Sequence, residues 1–345
     1  MHITHINLAK GFGGGERQTT LLIEYMAGHG LNQHLVCRKD SPLREYLQET
    51  PGLSFHAADN MFRGHRFGRM ETDLYHAHDA KAAHWVFLET RFCRIPYIVT
   101  RRVLNPLKKY GITPVVYKKA ARVVAISSQI KSNLAAYSPG LPVNVIPSST
   151  GRVPFSGEHI ETLQKRYEGR FLIGHIGILK NEVKGQQYIM EAARHLRKKY
   201  NNLHFVFLGK GEDETKLKAL AGDMKHIEFA GYTNLPGDYL SVMDLFVFPS
   251  SREGFGSSIL DAMAYGVPVI ASDVGGIPDI VEHEQNGILI PPRNSRALAD
   301  AISRLYENPG LRKQFSDKGR ETAAAFSPEA MGERYLALYR KILDG

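Results

Sequence analysis

The stretch DLFVFPSSREGFGSSILDAMAYG, residues 244–266, joins a short apolar run, a glycine turn and an amphipathic segment. The run DLFVFPS is almost continuously apolar, which is typical of a parallel strand covered on both faces. After the turn, Ile259, Leu260 and Met263 recur at helical spacing. A buried strand, a loop and a helix form the repeating unit of a doubly wound α/β sheet.

Apolar runs alternate with amphipathic segments along the whole chain. Seven runs before residue 150 and six after residue 170 predict two sheets in tandem, with helices in the second half near 184–200, 213–222, 256–265 and 295–307. The intervening segment, STGRVPFSGEHIETLQKRYEGR, is rich in Gly, Pro and Ser and then charged. We therefore predict two Rossmann-like domains, 1–165 and 166–326, that face each other across a ligand-binding cleft.

The composition excludes several classes of protein. The chain has 345 residues, 43% of them hydrophobic, which suffices for two packed cores. No apolar run approaches the roughly 18 residues that span a bilayer, and the first residues show no signal-peptide pattern. Cys37 and Cys93 are too few for a disulfide framework or a zinc site, so we expect free thiols in a reducing cytoplasm.

The charge is unevenly distributed. Residues 1–150 hold 19 Lys and Arg against 10 Asp and Glu, whereas the remaining residues are balanced at 25 of each. The excess lies between Arg63 and Lys131, interleaved with aromatic residues. This pattern favours contact with phosphorylated glycans, acidic lipid headgroups or nucleic acid, and a solvated face that aids solubility is the alternative.

The glycine turn of the opening stretch carries the groups of a ligand site. Glu253 projects from a loop at the carboxyl end of the predicted strand, and Asp261 follows eight residues later. Free backbone N–H groups near Ser257 and Ser258 suit a phosphate, and the carboxylates suit sugar and ribose hydroxyls. The pattern indicates a sugar joined through phosphates to a nucleoside, and an ordinary strand–loop–helix unit with a capping carboxylate is the alternative.

The region SREGFGSSILDAMAYGVPVIASDVGGIPDIVEHEQNGILIPP resembles the signature region of family 4 retaining glycosyltransferases. GGGERQTTLLIEYMAGHG, VVAISSQIKSNL, KGQQYIMEAA and FSPEAMGERYLALYRKIL extend the resemblance over nearly the whole chain. It implies the α/β fold called GT-B, with an N-terminal acceptor-binding domain and a C-terminal domain that binds a nucleotide sugar. It also implies that a final helix, 327–345, crosses back to the first domain.

The resemblance assigns the donor site position by position. It implies that Glu253 binds the hydroxyls of the donor sugar and acts as a catalytic residue together with Lys184. The other implied donor-binding residues are Gly14, Gly15, Gly254, Phe255, Gly256, Ser257, Ser258 and Asp261. Asp261 stands where the family commonly has the longer Glu. Ile178 replaces the arginine that commonly clamps the diphosphate, so Lys184 neutralises the phosphates alone or with help from Lys180.

The acceptor site is predicted at strand ends of the first domain. In YHAHD, His76 and His78 lie on the same side of a strand, and His78 and Asp79 end that strand. These two residues either face the acceptor or make structural hydrogen bonds. Arg101 and Arg102 follow Thr100, where many family members have a His. Guanidinium groups suit phosphate or carboxylate, so we expect an anionic acceptor, with a water-exposed basic strand end as the alternative.

The predicted activity is therefore transfer of a sugar from a nucleotide sugar, taken as a UDP-sugar, with retention at the anomeric carbon. The acceptor is a glycan or a lipid-linked glycan of bacterial lipopolysaccharide or another envelope polysaccharide. No cofactor and no metal are expected, because the sequence lacks an Asp-x-Asp motif. We expect a cytoplasmic protein that docks peripherally on the anionic inner face of the cytoplasmic membrane, without a nucleic-acid partner. A nucleotide-sugar 2-epimerase and a non-enzymatic polyanion-binding protein are the alternatives.

Overall fold

The computed structural model describes residues 1–151 and 153–345. Two units emerge, one of Met1–Gly151 with Phe326–Gly345, and one of Arg152–Ala325. Each contains one wholly parallel sheet, with seven strands in the first unit and six in the second. The predicted α/β fold with two Rossmann-like domains is therefore confirmed.

The strands of the first unit coincide with the seven predicted apolar runs. They are His2–Asn7 (β1), Asn32–Cys37 (β2), Leu53–Ala57 (β3), Leu74–Ala77 (β4), Tyr97–Arg101 (β5), Arg122–Ala125 (β6) and Val143–Val145 (β7). The helices are Gly14–Gly28 (α1), Leu43–Tyr46 (α2), Ala80–Glu89 (α3), Thr113–Lys119 (α4) and Ser128–Tyr137 (α5). The strand order is β3-β2-β1-β4-β5-β6-β7, so the winding direction reverses between β1 and β4.

The second unit repeats this plan. Its strands are Phe171–Ile176 (β8), Leu203–Leu208 (β9), Ile227–Gly231 (β10), Leu245–Phe248 (β11), Val269–Ser272 (β12) and Ile288–Ile290 (β13). Its helices are Gly157–Arg166 (α6), Asn181–Lys184 (α7), Gln186–Leu196 (α8), Glu214–Ala221 (α9), Pro236–Leu240 (α10), Ser257–Ala264 (α11), Ser295–Glu307 (α12) and Pro309–Ala325 (α13). The order β10-β9-β8-β11-β12-β13 reverses between β8 and β11.

The division between the units lies earlier than residue 165. Helix α6 belongs to the second unit, where it packs against α10. The buried Asp238 carboxylate holds its start by accepting hydrogen bonds from the Ser156 backbone N–H and from His159 Nδ1 at 2.7 Å. The sequence of α6 does not indicate that the helix belongs to the second unit, because the helix is charged and only Leu163 in it is buried.

The last helix, Pro328–Leu343 (α14), completes the core of the first unit. Ser327 caps it by accepting a hydrogen bond from the Ala330 N–H at 3.1 Å. Its apolar face joins a buried cluster with α1, and a Cβ atom at Gly332 would overlap the Tyr25 ring. Glycine therefore allows α1 and α14 to approach closely.

The length and polarity of the helices determine whether any of them could span a membrane. Across residues 1–151 and 153–345, every helix is too short or too polar to span a bilayer.

Candidate functional site

The reversal points of the two sheets mark equivalent places in the two units. In doubly wound sheets, ligands bind beside the carboxyl ends of the strands at this point. In the second unit, the loop after β8 leads to Lys184 and the loop after β11 carries Glu253. In the first unit, the glycine loop follows β1 and His78 follows β4.

Lys184 and Glu253 form an ion pair. Lys184 Nζ lies 2.5 Å from Glu253 Oε2, and each side chain is less than one-fifth exposed. Glu253 Oε1 accepts a hydrogen bond from the Gly254 N–H at 3.1 Å. The ammonium also lies 4.8 Å from the centroid of the Phe248 ring. Two residues that are 69 positions apart are thus brought together, and their partial exposure leaves them accessible to a ligand.

Backbone contacts position this pair. Gly185, directly after Lys184, has φ +69, and a Cβ atom there would overlap the Pro249 carbonyl oxygen. The Ser251 N–H donates to the Val183 carbonyl at 2.8 Å, which ties the two loops together. Glycine at position 185 therefore permits the close approach of the loops that carry the lysine and the glutamate.

A buried histidine supports the loop after β8 from beneath. His175 Nδ1 donates to the Val247 carbonyl at 3.0 Å, which leaves Nε2 to accept from Gln186 Nε2 at 3.3 Å. The pKa of His175 is lowered to about 4, mainly because the charged ring would lose its hydration on burial, and the Lys184 charge acts in the same direction. Gln186 also donates to the Ile178 carbonyl at 3.0 Å, so a neutral pair holds the loop.

The glycine turn opens helix α11. Gly256 occupies the N-cap position with φ +97, and no side chain among the described residues caps this helix start. Ser257 and Ser258 lie half-buried in the first turn, so their backbone N–H groups are placed for an anion. The Phe255 side chain is 2% exposed, which leaves its backbone as the part that a ligand can reach. Asp261 is 8% exposed, one turn further into the helix.

The loop after β8 departs from the family pattern at Ile178 and also carries Lys180. Ile178 is 54% exposed, so an apolar side chain stands in water where the family commonly has an arginine. Lys180 Nζ pairs with Glu212 Oε1 at 2.8 Å on the surface. This hydrogen bond raises the pKa of Lys180 above its usual value. Lys184 is thus the lysine of this loop that pairs with Glu253.

The corresponding edge of the first unit has different chemistry. The loop after β1 runs into α1, whose exposed N-cap, Gly13, donates its N–H to Glu16 Oε2 at 3.0 Å. Gly14 is exposed and Gly15 is half-buried at the start of the helix. Both predicted glycines therefore lie at the N-terminus of a 15-residue helix, where the helix dipole favours anions.

Three histidines lie beneath this edge, and the sequence prediction missed one of them. His5, His76 and His78 are at most 2% exposed, and a ring nitrogen of each lies within 4.8 Å of the others. His5 is paired with His76 in the register of β1 and β4. The histidines of THIN and YHAHD each lie in a predicted strand, but only the structure shows that these two strands are neighbours.

The histidine cluster is a hydrogen-bonded network. His76 Nδ1 lies 2.6 Å from the Tyr339 hydroxyl, and His76 Nε2 lies 2.7 Å from Thr100 Oγ1. His5 Nδ1 lies 3.0 Å from His78 Nε2. Burial lowers the pKa of His5 to about 4 and holds those of His76 and His78 well below their usual value. The three rings are therefore neutral near pH 7.

Two of the predicted acceptor residues have structural partners. Asp79 caps α3, and its carboxylate accepts from the N–H groups of Leu8, Lys81 and Ala82. Arg101 is 8% exposed and donates to the Asn105 carbonyl. These hydrogen bonds already engage both side chains. The contact of Asp79 and Arg101 with an acceptor stays a prediction.

An apolar groove of about 540 Å³ lies elsewhere in the first unit. Phe62, Phe67 and Phe92 line it and are 69%, 51% and 79% exposed. Phe67 has φ +49, a conformation that costs energy for a bulky side chain. The fully buried Glu89 carboxylate holds this loop by accepting from the N–H groups of Arg66 and Gly68. The buried Glu89 carboxylate thus fixes the conformation of a loop whose Phe67 side chain is exposed to water.

Two family models match the chain. The model described as Glycosyltransferase Family 4 matches residues 12–149, and the model described as Glycosyl transferases group 1 matches residues 159–322. The chain belongs to the family 4 glycosyltransferases. The predicted membership is confirmed, and the second match includes both members of the Lys184–Glu253 pair in this glycosyltransferase.

Individual relatives agree with this membership. The chain is 27% identical over 299 residues to an alpha-D-kanosaminyltransferase of Streptomyces kanamyceticus, which covers 77% of each chain. It is 30% identical to the lipopolysaccharide core biosynthesis glycosyltransferase LpsE of Rhizobium meliloti. That match covers 161 residues, 46% of each chain.

A solved structure shares the fold over the full length. Anabaena Alr3699/HepE in complex with UDP-glucose superimposes with a TM-score of 0.83 at 19% identity, covering 99% of this glycosyltransferase and 100% of that chain. At this identity the likeness concerns the fold.

Proposed function

We propose that this glycosyltransferase moves a sugar from a UDP-sugar to a glycan or lipid-linked acceptor, with retention and without a metal ion. The acceptor belongs to bacterial lipopolysaccharide or another envelope polysaccharide. The observation that carries the proposal is the Lys184–Glu253 pair beside the uncapped start of α11, at the reversal point of a parallel sheet. It combines a cation, free N–H groups and a carboxylate, which match the diphosphate and the hydroxyls of a nucleotide sugar.

Donor binding exchanges the partner of Lys184. A diphosphate carries more charge than one carboxylate and attracts the ammonium more strongly, so it competes with Glu253 for Lys184. Release from the 2.5 Å contact frees Glu253 Oε2 to accept hydrogen bonds from sugar hydroxyls. Gly254 continues to hold Oε1, so the carboxylate keeps its orientation.

Transfer builds negative charge on the leaving diphosphate. The bond from the anomeric carbon to the diphosphate oxygen breaks, and the acceptor oxygen forms its bond on the same face. The acceptor proton passes to the departing diphosphate, which leaves as UDP. Lys184 and the N–H groups at Ser257 stabilise the developing charge, and Glu253 orients the sugar.

The second unit binds the donor through Gly254, the Phe255 backbone, Gly256, Ser257 and Ser258. Asp261, which is 8% exposed, contacts the ribose. The first unit binds the acceptor, and the assignment of Gly14 and Gly15 to the donor stays a prediction.

A membrane surface is the proposed location of the acceptor. Exposed Arg63, Arg66 and Arg91 accompany the groove lined by Phe62 and Phe67. Aromatic rings enter the boundary between headgroups and acyl chains, and each basic residue near an anionic leaflet contributes about 1 kcal/mol. The protein therefore docks peripherally on the inner face of the cytoplasmic membrane.

The test is a donor panel with purified protein. UDP-glucose, UDP-galactose, UDP-N-acetylglucosamine and the corresponding GDP-sugars are titrated in thermal-shift and hydrolysis assays with excess chelator. We expect one UDP-sugar to stabilise the protein and to be cleaved slowly to UDP. NMR of the first sugar product, an α-anomer from an α-linked donor, tests retention. Epimerisation of the donor, or binding of polyanions without cleavage of any nucleotide sugar, would contradict the proposal.

A further inference from the structure

Arg102 holds buried hydrogen-bond donors that no described residue satisfies. Its Nε and Nη2 atoms are buried and have no partner among residues 1–151 and 153–345, although the residue as a whole is part-exposed. Leaving N–H groups of a charged side chain unpaired costs more than leaving neutral ones. Native proteins seldom keep such groups without a function, so these atoms indicate a ligand.

The guanidinium lies beside the N-terminus of α1. A Cβ atom at Gly15 would lie 3.3 Å from Arg102 Cδ and 3.9 Å from Nε. The glycine thus leaves backbone and guanidinium next to each other without an intervening side chain. The positive end of a 15-residue helix and a fixed cation converge here, which favours an oxyanion.

A hydrogen-bonded chain determines the tautomer of the neighbouring His78. Gln33 Nε2 donates to the Ile23 carbonyl at 3.0 Å, so Gln33 Oε1 accepts from His5 Nε2 at 3.1 Å. His5 Nδ1 then has only a lone pair and accepts from His78 Nε2 at 3.0 Å. A neutral His78 therefore carries its proton on Nε2 and a bare lone pair on Nδ1. That Nδ1 atom is buried and has no partner in the described part of the chain.

The surroundings keep His78 in this state. Burial lowers its pKa first, followed by His76, His5 and the charge of Arg102. The same arginine lowers the pKa of His76. His78 directly follows β4, and Arg102 directly follows the adjacent parallel strand β5, so both residues lie at the same edge of the sheet. The first unit thus places a cation and a hydrogen-bond acceptor, each with atoms that make no hydrogen bond to the described residues, at neighbouring strand ends.

We propose that Arg102 and His78 form a subsite for an oxyanion with a neighbouring hydroxyl on the acceptor. The Arg102 Nε–H and Nη2–H groups donate to a carboxylate or phosphate, and His78 Nδ1 accepts from the hydroxyl. The acceptor is then an acidic sugar, such as a uronic acid or a sugar phosphate. The inference rests on the proposed function, and it narrows the four predicted acceptor residues to the two with free hydrogen-bonding atoms.

The experiment measures binding of defined probes by calorimetry. Glucuronic acid and glucose 6-phosphate represent the two oxyanions, glucose is the neutral probe, and UDP tests the donor diphosphate as the source of the anion. The variants are Arg102→Gln and Arg102→Lys, with exposed Arg94→Gln as the control that removes the same charge from the same unit. His78→Asn keeps an acceptor near Nδ1, and His78→Leu removes it. Trp85 fluorescence melts check that each variant folds.

We expect both acidic probes to bind the wild type more tightly than glucose does. Arg102→Gln lowers their affinity by about 10-fold or more, the effect of one lost charged hydrogen bond, and leaves UDP unchanged. His78→Leu weakens glucuronic acid by about 5-fold, the effect of one neutral hydrogen bond, whereas His78→Asn largely retains binding. Arg94→Gln changes neither.

Three outcomes overturn the inference. Loss of UDP affinity in Arg102→Gln without a change for the acidic probes assigns the guanidinium to the donor diphosphate. Equal binding of glucose and the acidic sugars by the wild type removes the subsite. Unchanged binding in a folded Arg102→Gln variant makes the arginine structural. Failure of the proposed function is a separate result, because it appears as wild-type protein that binds no nucleotide sugar.

Discussion

The two units share a strand order and differ at the same place in it. At the reversal point of the second sheet, Lys184 and Glu253 neutralise each other at 2.5 Å. At the reversal point of the first sheet, His78 is neutral, and the Arg102 guanidinium at the adjacent strand end has donors that no described residue accepts. The topology thus determines where a ligand binds, and the side chains at the strand ends determine which ligand it is.

The difference extends beneath the two edges. The first unit buries three neutral histidines under its strand ends, whereas the second buries His175 at the equivalent strand end. Each neutral buried histidine ties the stability of its unit to pH. The comparison therefore predicts different responses of the units to acid, mutation and membranes.

The largest expected effect is acid destabilisation of the first unit. An unfolded histidine takes up a proton near pH 6.5, whereas folded His5 does so only near pH 4. The unfolded state binds more protons in this window, so stability is complete above about pH 6.5 and falls as the pH approaches 4. His5 alone accounts for about 3 kcal/mol at the full shift, and His76 and His78 add to it.

Urea unfolding at pH 7, 6 and 5 measures this effect. The chain has one tryptophan, the fully buried Trp85, so its fluorescence reports on the first unit. The exposed His29 provides the control variant His29→Gln, which we expect to retain the wild-type pH dependence. A midpoint that stays constant from pH 7 to 5 would contradict the neutral histidine network.

The second effect concerns the ion pair of the second unit. We expect Glu253→Ala to lower transfer about 100-fold without weakening UDP, because in the proposed mechanism Glu253 orients the sugar and competes with the diphosphate for Lys184. Lys184→Ala weakens UDP by about 1.5–3 kcal/mol as well, because Lys184 contacts phosphate. Steady-state rates and UDP calorimetry measure the two effects.

Lys180→Ala is the matched control for this pair. It removes a lysine of the same loop whose ammonium pairs with Glu212 on the surface, and we expect nearly wild-type values. Normal turnover in Lys184→Ala or Glu253→Ala would refute the donor assignment.

The third effect concerns the packing of α1 on α14 in the first unit. Gly332→Ala places a methyl group against the Tyr25 ring, and we expect a loss of about 1–3 kcal/mol from overpacking. Gly28→Ala is the control, since no described atom outside its chain neighbours and its own helix backbone lies within 4 Å of its Cβ position, and we expect a gain of up to about 1 kcal/mol. Thermal melts followed by Trp85 fluorescence measure both. Equal melting temperatures would show that Tyr25 moves aside without cost.

The smallest effect that we expect for each residue is on binding to membrane vesicles. We expect binding to anionic vesicles at low salt, loss of binding at high salt, and none to zwitterionic vesicles, because each basic residue contributes about 1 kcal/mol near an anionic leaflet. Phe62→Ser with Phe92→Ser weakens binding, and Tyr232→Ser, an exposed aromatic residue of the second unit, is the control. Co-sedimentation measures each case. Equal binding to both vesicle types, or none at low salt, would leave a soluble acceptor as the better hypothesis.

Local pattern predicted much of this molecule. The thirteen strands of the described residues coincide with the predicted runs. Central strands such as β11 and β12 are apolar because both of their faces are covered, whereas the edge strands β3, β7 and β10 are only partly buried. Helix α13 was not predicted, since its buried positions are only Phe315, Gly319 and Ala323. The boundary was placed too late, because the buried Asp238 that anchors α6 lies 79 residues beyond His159.

The sequence by itself determined the two parallel sheets, the family and the candidate residues, because these depend on periodicity and on motifs that are contiguous in the chain. Only the tertiary structure decided how those residues are used. It joined Lys184 to Glu253 and engaged Asp79 and Arg101 in structural hydrogen bonds. It left Arg102 with donors that have no partner among the described residues. The physical reason is that hydrogen bonds and burial depend on atoms that meet across strands and helices, and the order of residues along the chain does not specify which atoms meet.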